Sequence, residues 1–133
     1  MTLPQVKVQL PRDMGNRMWG RELLVIDTPA YIGKVLHMKA GGAGGLQKHV
    51  EKDEASFLVS GEAWVYTDTG DGKATRFLWM AGTAIHIPPG AVHKVEAITD
   101  CTIFECSTPH FNDRIRLEAE YGLPETGGLP TTR

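Results

Sequence analysis

Between residues 31 and 107, short β-branched and aromatic runs alternate with clusters of glycine, proline and aspartate, a rhythm that points to an all-β chain. Strands are expected over 31–38, 54–59, 63–67, 75–79, 84–87, 94–98 and 102–107. Turn signals separate them: Ser60-Gly61, Asp68-Thr69-Gly70-Asp71-Gly72, Ala81-Gly82, Pro88-Pro89-Gly90 and Thr99-Asp100. Many short strands at such spacing suggest an antiparallel barrel or sandwich. No stretch before Asp113 carries a sustained helical period, and 113–121 is expected to form one or two turns of helix. The first thirty residues read as an arm (1–18) followed by entry strands, including Glu22-Leu23-Leu24-Val25-Ile26. Residues 122–133, rich in Pro, Gly and Thr, read as a loose tail. With no repeat and no boundary, 1–133 is expected to be one domain, its barrel core at about 19–121.

Composition narrows the function classes. The 133 residues are enough to bury a core without disulfides, and 41% hydrophobic with 23% charged residues is the balance of a soluble globular protein. Net charge is −2 and no basic stripe stands out, so nucleic acid is not an expected partner. No apolar run approaches the ~20 residues that span a bilayer, and Met1 to Lys7 lack the pattern of a secretion signal. Cys101 and Cys106 are five apart in one expected strand, so they point to opposite faces and read as reduced packing residues. The cytoplasm is the compartment this implies. Leu123-Pro124-Glu125-Thr126-Gly127 spells a sortase recognition pentapeptide, but neither a hydrophobic span nor a basic end follows it, so it reads as coincidence.

The chemistry-bearing block is 41–54. Gln47 and His49 are two apart and share a face if extended. Glu54 follows five later, after a short turn. About forty residues on, Ile87-Pro88-Pro89-Gly90 would reverse the chain and present His93 at the head of a strand. An amide oxygen, two imidazoles and a carboxylate suit zinc, iron, manganese, nickel or cobalt better than calcium or a thiolate-loving ion. Four protein ligands also leave positions for exchange. On spacing alone the alternative stands beside this one: lone structural histidines, and Glu51 to Glu54 as a solvated turn.

The two blocks together resemble the two signatures of the cupin superfamily. Gly41, Gln47, His49, Glu54 and Gly61 fall at the positions of the first, with glutamine in place of its first histidine. Gly82, Pro88, Gly90 and His93 match the second, with Ala97 in place of its final asparagine. Within cupins the chain is similar to small barrels of the mannose-6-phosphate isomerase type, through Trp19-Gly20-Arg21-Glu22, Leu46-Gln47-Lys48-His49, Phe104-Glu105-Cys106-Ser107-Thr108-Pro109 and Arg116-Leu117-Glu118. In that family the first histidine position is commonly glutamine. The resemblance implies a double-stranded β-helix and one divalent metal on Gln47, His49, Glu54 and His93. It also implies a sugar or sugar-phosphate ligand and a homodimer.

Three functions fit that resemblance. An aldose–ketose isomerase would use the metal to hold adjacent oxygens and a general base to move a proton. Its candidate bases are Lys34, Lys52 and Glu105, although Lys34 reads more simply as a rim lysine with its ammonium in water. Lys52 reads equally as a turn lysine, and Glu105 as solvated. A non-catalytic sugar- or metabolite-binding barrel is the second reading, and a metal-dependent dioxygenase the third. His86 reads as structural, His37 and His110 as surface residues, and Trp64, Tyr66 and Trp79 as packing rather than sugar-stacking platforms. The glycines of 41–45 read as a flexible loop, since no Lys-Ser/Thr and helix follow to make a phosphate cradle.

Overall fold

A computed structural model describes residues 2–124. Eleven strands run in order: β1 (Arg12–Arg17), β2 (Gly20–Asp27), β3 (Ile32–Met38), β4 (Gln47–His49), β5 (Glu54–Ser60), β6 (Glu62–Thr67), β7 (Thr75–Met80), β8 (Ala84–Ile87), β9 (His93–Ala97), β10 (Cys101–Ser107) and β11 (Arg114–Arg116). They form two antiparallel sheets, ordered β1-β2-β3-β10-β5-β8 and β11-β4-β9-β6-β7. All seven strands expected between residues 31 and 107 are present, with ends shifted by a residue or less.

Two expectations near the ends need correction. Residues 113–121 do not form a helix: Arg114–Arg116 is strand β11, and only Ala119–Tyr121 makes a single 3-10 turn. The strand wins because β4 offers an open edge, and tertiary pairing outweighs a weak local helix preference. Of the 1–18 arm, residues 2–11 are exposed and carry no assigned strand, but Arg12–Arg17 is β1, paired with β2. Of the loose tail expected over 122–133, the part from Glu125 onward lies outside the described residues, as does most of the Leu123–Gly127 pentapeptide. Among the described residues no helix is long and apolar enough to cross a membrane.

The period-two alternation of strands divides the interior lengthwise. Along β5 the inward residues run Glu54, Ser56, Leu58; along β3 they run Lys34, Leu36, Met38; along β10 they run Glu105, Ile103, Cys101. Antiparallel register places Glu105 opposite Lys34 and Ser56, and Ile103 opposite Leu36 and Leu58. One end of the barrel is therefore charged and the other apolar. The apolar end is the core proper: Met38, Leu58, Ala63, Val65, Trp79, Ala97, Cys101 and Ile103. Cys101 is buried in it and Cys106 is exposed on the opposite face; both are free, as their odd spacing predicts.

Turns close the barrel where the sequence marks them. Gly61, between β5 and β6, has φ 96°, and a Cβ there would sit 2.3 Å from the Asp100 carbonyl oxygen. Only glycine fits both constraints. The 41–45 segment, by contrast, is not free. Gly41 N–H donates to Ala97 O at 2.8 Å, Ala97 N–H to Gly42 O at 2.8 Å, and Gly44 N–H to Val95 O at 3.0 Å, which zips the segment along β9.

Candidate metal centre

Three strands and one turn build the centre. Gln47 and His49 come from β4, Glu54 from the start of β5 and His93 from the start of β9. Gln47 is the register partner of His93. The Pro88-Pro89-Gly90 turn seats His93 there: Ala91 N–H closes the turn on Pro88 O at 3.1 Å, and Gly90 N–H donates to His49 O at 2.9 Å. The two halves of the motif, some forty residues apart, are thus tied by backbone before any side chain acts.

Both imidazoles are oriented from behind. His49 Nδ1 lies 3.1 Å from Asp113 Oδ1, and His93 Nδ1 lies 3.0 Å from Ala91 O. Each of those partners accepts, so each Nδ1 carries a proton and each Nε2 is turned toward the centre. The two Nε2 atoms converge on one oxygen, Glu54 Oε1, at 3.4 Å and 3.2 Å, with the rings 5.2 Å apart. The ligand atoms of His49, Glu54 and His93 all lie within 4.8 Å of one another. Gln47 Oε1 is buried and has no hydrogen-bond partner among the described residues, a state shared there only by Glu118 Oε2. A buried orphan acceptor beside two aimed imidazoles and a carboxylate fits a divalent cation. Carboxylate support of a ligating histidine, as Asp113 gives His49, is a recurring feature of metal sites.

The expected proton-transfer residues are all at the centre, but not in the settings expected for them. Lys34 is not on the rim with its ammonium in water; it is 2% exposed, 3.7 Å from Glu22 Oε2, with its Nζ 5.5 Å from the Phe111 ring centroid. Burial pulls its pKa below the ordinary lysine value, against the pull of Glu105 and Glu22. Lys52 is not a solvated turn lysine. Its Nζ lies 3.0 Å from Glu54 Oε2 and 3.4 Å from Glu105 Oε2. Burial would lower its pKa, but those two carboxylates outweigh burial and raise it. Glu105 faces inward rather than to solvent, and burial together with the neighbouring Glu54 raises its pKa. Burial also opposes ionisation of Glu54, yet His49, His93 and Lys52 hold its carboxyl well below the usual range. The alternative of Glu51 to Glu54 as a solvated turn therefore fails for Lys52 and Glu54, while Glu51 and Asp53 do face solvent.

These groups line a cavity of about 470 Å³, a size suited to a small metabolite. Trp79 is packed in the core with its Nε1–H on Thr83 O and forms part of the floor. Trp64 and Tyr66 lie on the outside of β6, under Arg76 and Lys94 respectively. His86 is exposed and paired with Asp53, and His37 is exposed beside Thr102. His110, expected at the surface, stands at the cavity mouth with its ring 3.1 Å from Glu51. The residues that sequence reasoning missed are Asp113, Glu22, Arg17 and Arg114. Asp113, Glu22 and Arg17 act through partners on other elements and Arg114 through the cavity it lines, and nothing in their local sequence marks them.

Comparison with known proteins agrees with this fold. No protein-family model matches the chain. A mannose-1-phosphate guanylyltransferase from Klebsiella pneumoniae is 30% identical over 111 residues, 80% of this chain, but the chain spans only 22% of that protein's length. Among solved structures, the capsular polysaccharide assembling protein CapF from Staphylococcus aureus superposes with a TM-score of 0.69 at 20% identity, over 80% of this chain and 34% of that one. An RmlC-like cupin from Shewanella frigidimarina superposes with a TM-score of 0.61 at 17% identity, over 76% and 84%. The chain thus has the cupin fold, a double-stranded β-helix barrel.

Proposed function

We propose that the protein is a metal-binding cupin whose cavity takes a sugar or sugar phosphate, held at a divalent ion by Gln47, His49, Glu54 and His93. One observation carries the metal: two imidazole Nε2 atoms converge on one buried carboxylate, and Gln47 Oε1, on the strand that carries His49, is buried without a hydrogen-bond partner among the described residues. When bound, the ion would supply Lewis-acid polarisation of ligand oxygens. The sugar reading is supported by the resemblance to mannose-6-phosphate isomerase-type barrels and by relatives whose names concern mannose 1-phosphate and capsular polysaccharide.

The chain's own residues fit proton transfer at a carbon next to such oxygens. Glu105 is inclined to hold a proton and Lys34 to give one up, and the two are register partners facing one cavity. Lys52 is locked in its charged form between Glu54 and Glu105, so it positions the carboxylates and is a poor base. A second reading, binding without turnover, draws on the same network: both lysines already have carboxylate partners. We also expect a homodimer, because Val6, Val8 and Leu10 stand almost fully exposed on the arm; a monodisperse monomer in light scattering would remove it.

The test is elemental analysis of protein purified without a metal-affinity tag, beside a His49→Ala/His93→Ala variant. About one transition metal per chain, lost in the variant, establishes the site. Mannose 6-phosphate in D2O then separates the two readings, since isomerisation places deuterium at C1 of the fructose 6-phosphate formed while binding alone does not. No metal after reconstitution would sink the metal reading.

A further inference from the structure

The cavity has a cationic wall that the metal centre does not use. Arg114 and Arg116, two apart on β11, share a face, and the strand pairs with β4 so that Arg114 lies opposite His49 and Arg116 opposite Gln47. Arg17 reaches the same wall from β1. Two of these guanidiniums are engaged. Arg17 Nη2 lies 3.2 Å from Glu22 Oε2, and Arg116 donates through Nε and Nη2 to Glu118 Oε1 at 3.3 Å and 2.9 Å. Arg114 is different: its guanidinium makes no ion pair or hydrogen bond with any described residue, although it is half-buried and lines the cavity. Burial, and then the positive charges of Arg116 and Arg17, weigh against its charged form, and Glu118 and Glu22 do not offset them.

A guanidinium never gives up its proton at ordinary pH, so relief has to come from an anion. Five N–H donors in a planar fork match a phosphate or carboxylate. We infer that Arg114 forms an anion subsite, which takes the phosphate or carboxylate group of a ligand whose other end reaches the His49–Glu54–His93 centre. The inference rests on the reading of this cavity as a ligand site, and it adds where the ligand's charge sits. Strands pair about 4.8 Å apart, so the anion-binding wall is one strand removed from His49. A compact ligand is thereby favoured, with its charged group a few bonds from the oxygens that face the centre.

The experiment titrates metal-reconstituted protein with inorganic phosphate and, separately, with malonate, by calorimetry, and measures metal content on every sample. Arg114→Gln should weaken the preferred anion by about tenfold or more, Arg114→Lys should weaken it less, and all should keep the metal. Arg76→Gln, a change on the outer face, controls for loss of one positive charge and should bind as wild type does. Preference for phosphate assigns a phosphate monoester, and preference for malonate a carboxylate. Unchanged affinity in Arg114→Gln with metal retained, or no binding of either anion to wild type, overturns the subsite. Arg114-dependent anion binding in a protein that never holds metal would instead remove the metal reading and leave the subsite standing.

Discussion

Asp113 Oδ1 lies 3.1 Å from Nδ1 of His49, sixty-four residues earlier in the chain, and its other oxygen accepts the backbone N–H groups of Glu51 and Lys52 at 2.8 Å and 2.9 Å. One carboxylate therefore fixes both the ring that faces the centre and the turn that carries the chain from β4 to β5. Those backbone bonds and the His49 ring hold the Asp113 carboxyl below its ordinary pKa, despite the opposing effect of burial.

Asp113→Ala should free the His49 ring without removing a ligand. Metal affinity is expected to fall by about 10–100-fold. Competition with a chromophoric chelator reads this directly. An unchanged dissociation constant would mean that Asp113 serves only the turn.

Lys52→Met would leave Glu54 and Glu105 facing each other without their shared cation. Removal of one partner from a buried pair costs about 3–5 kcal/mol, read as a lower urea midpoint in chelator-treated protein. Without Lys52 both carboxyl pKa values rise in the folded state. The stability lost is then expected to be greater at pH 7 than at pH 5, because proton uptake at the lower pH relieves the repulsion. Addition of Glu105→Gln should recover part of the loss, and a double-mutant cycle would measure the coupling.

The Tyr121 hydroxyl donates to Asp68 Oδ2, which joins the 3-10 turn to the β6–β7 loop. That bond, with the Gly70 amide, lowers the Asp68 pKa, and the same bond raises that of Tyr121. The contribution is fully present above the ordinary aspartate value of 3.8 and below the ordinary tyrosine value of 10.0. It is lost as pH falls through the lowered Asp68 pKa, and again as pH rises through the raised Tyr121 pKa. Thermal melts of wild type and Tyr121→Phe should therefore differ by a constant amount across the neutral range and converge at both extremes.

Gly61→Ala meets two obstacles, a left-handed φ and a Cβ driven against Asp100 O. The substitution should cost more than about 1 kcal/mol, seen as a lower melting temperature with metal binding intact in the fraction that folds. Gly82→Ala is the comparison: its φ is 85° but nothing lies within 4 Å of the added methyl group, so it should cost less.

The strands of the barrel were legible because each is a local object. Alternation along 54–59 or 102–107 is visible in a window of six residues, and the turns between strands are punctuated by residues with special backbone freedom. The candidate ligands were singled out for the same reason, Gln47 and His49 sharing a strand face and the Pro-Pro-Gly turn announcing His93. Strand β11 was read as helix because three residues carry too little periodicity, and only the open edge of β4 makes them a strand.

By itself, then, the sequence determined the all-β class, the placement of seven strands, the independence of Cys101 and Cys106, and four ligand candidates. Tertiary structure decided the rest. Lys34, Lys52 and Glu105 look like solvent-facing charges in one dimension; they become a buried network because antiparallel register sets Lys34 beside Glu105 and the β4–β5 turn brings Lys52 onto Glu105 and Glu54. Asp113 and Arg114 acquire roles through neighbours on β4 that are more than sixty residues away in sequence. The reason is physical: alternation along a strand fixes which side a residue faces, but charge pairing, desolvation and hydrogen bonding depend on which strands the fold brings alongside.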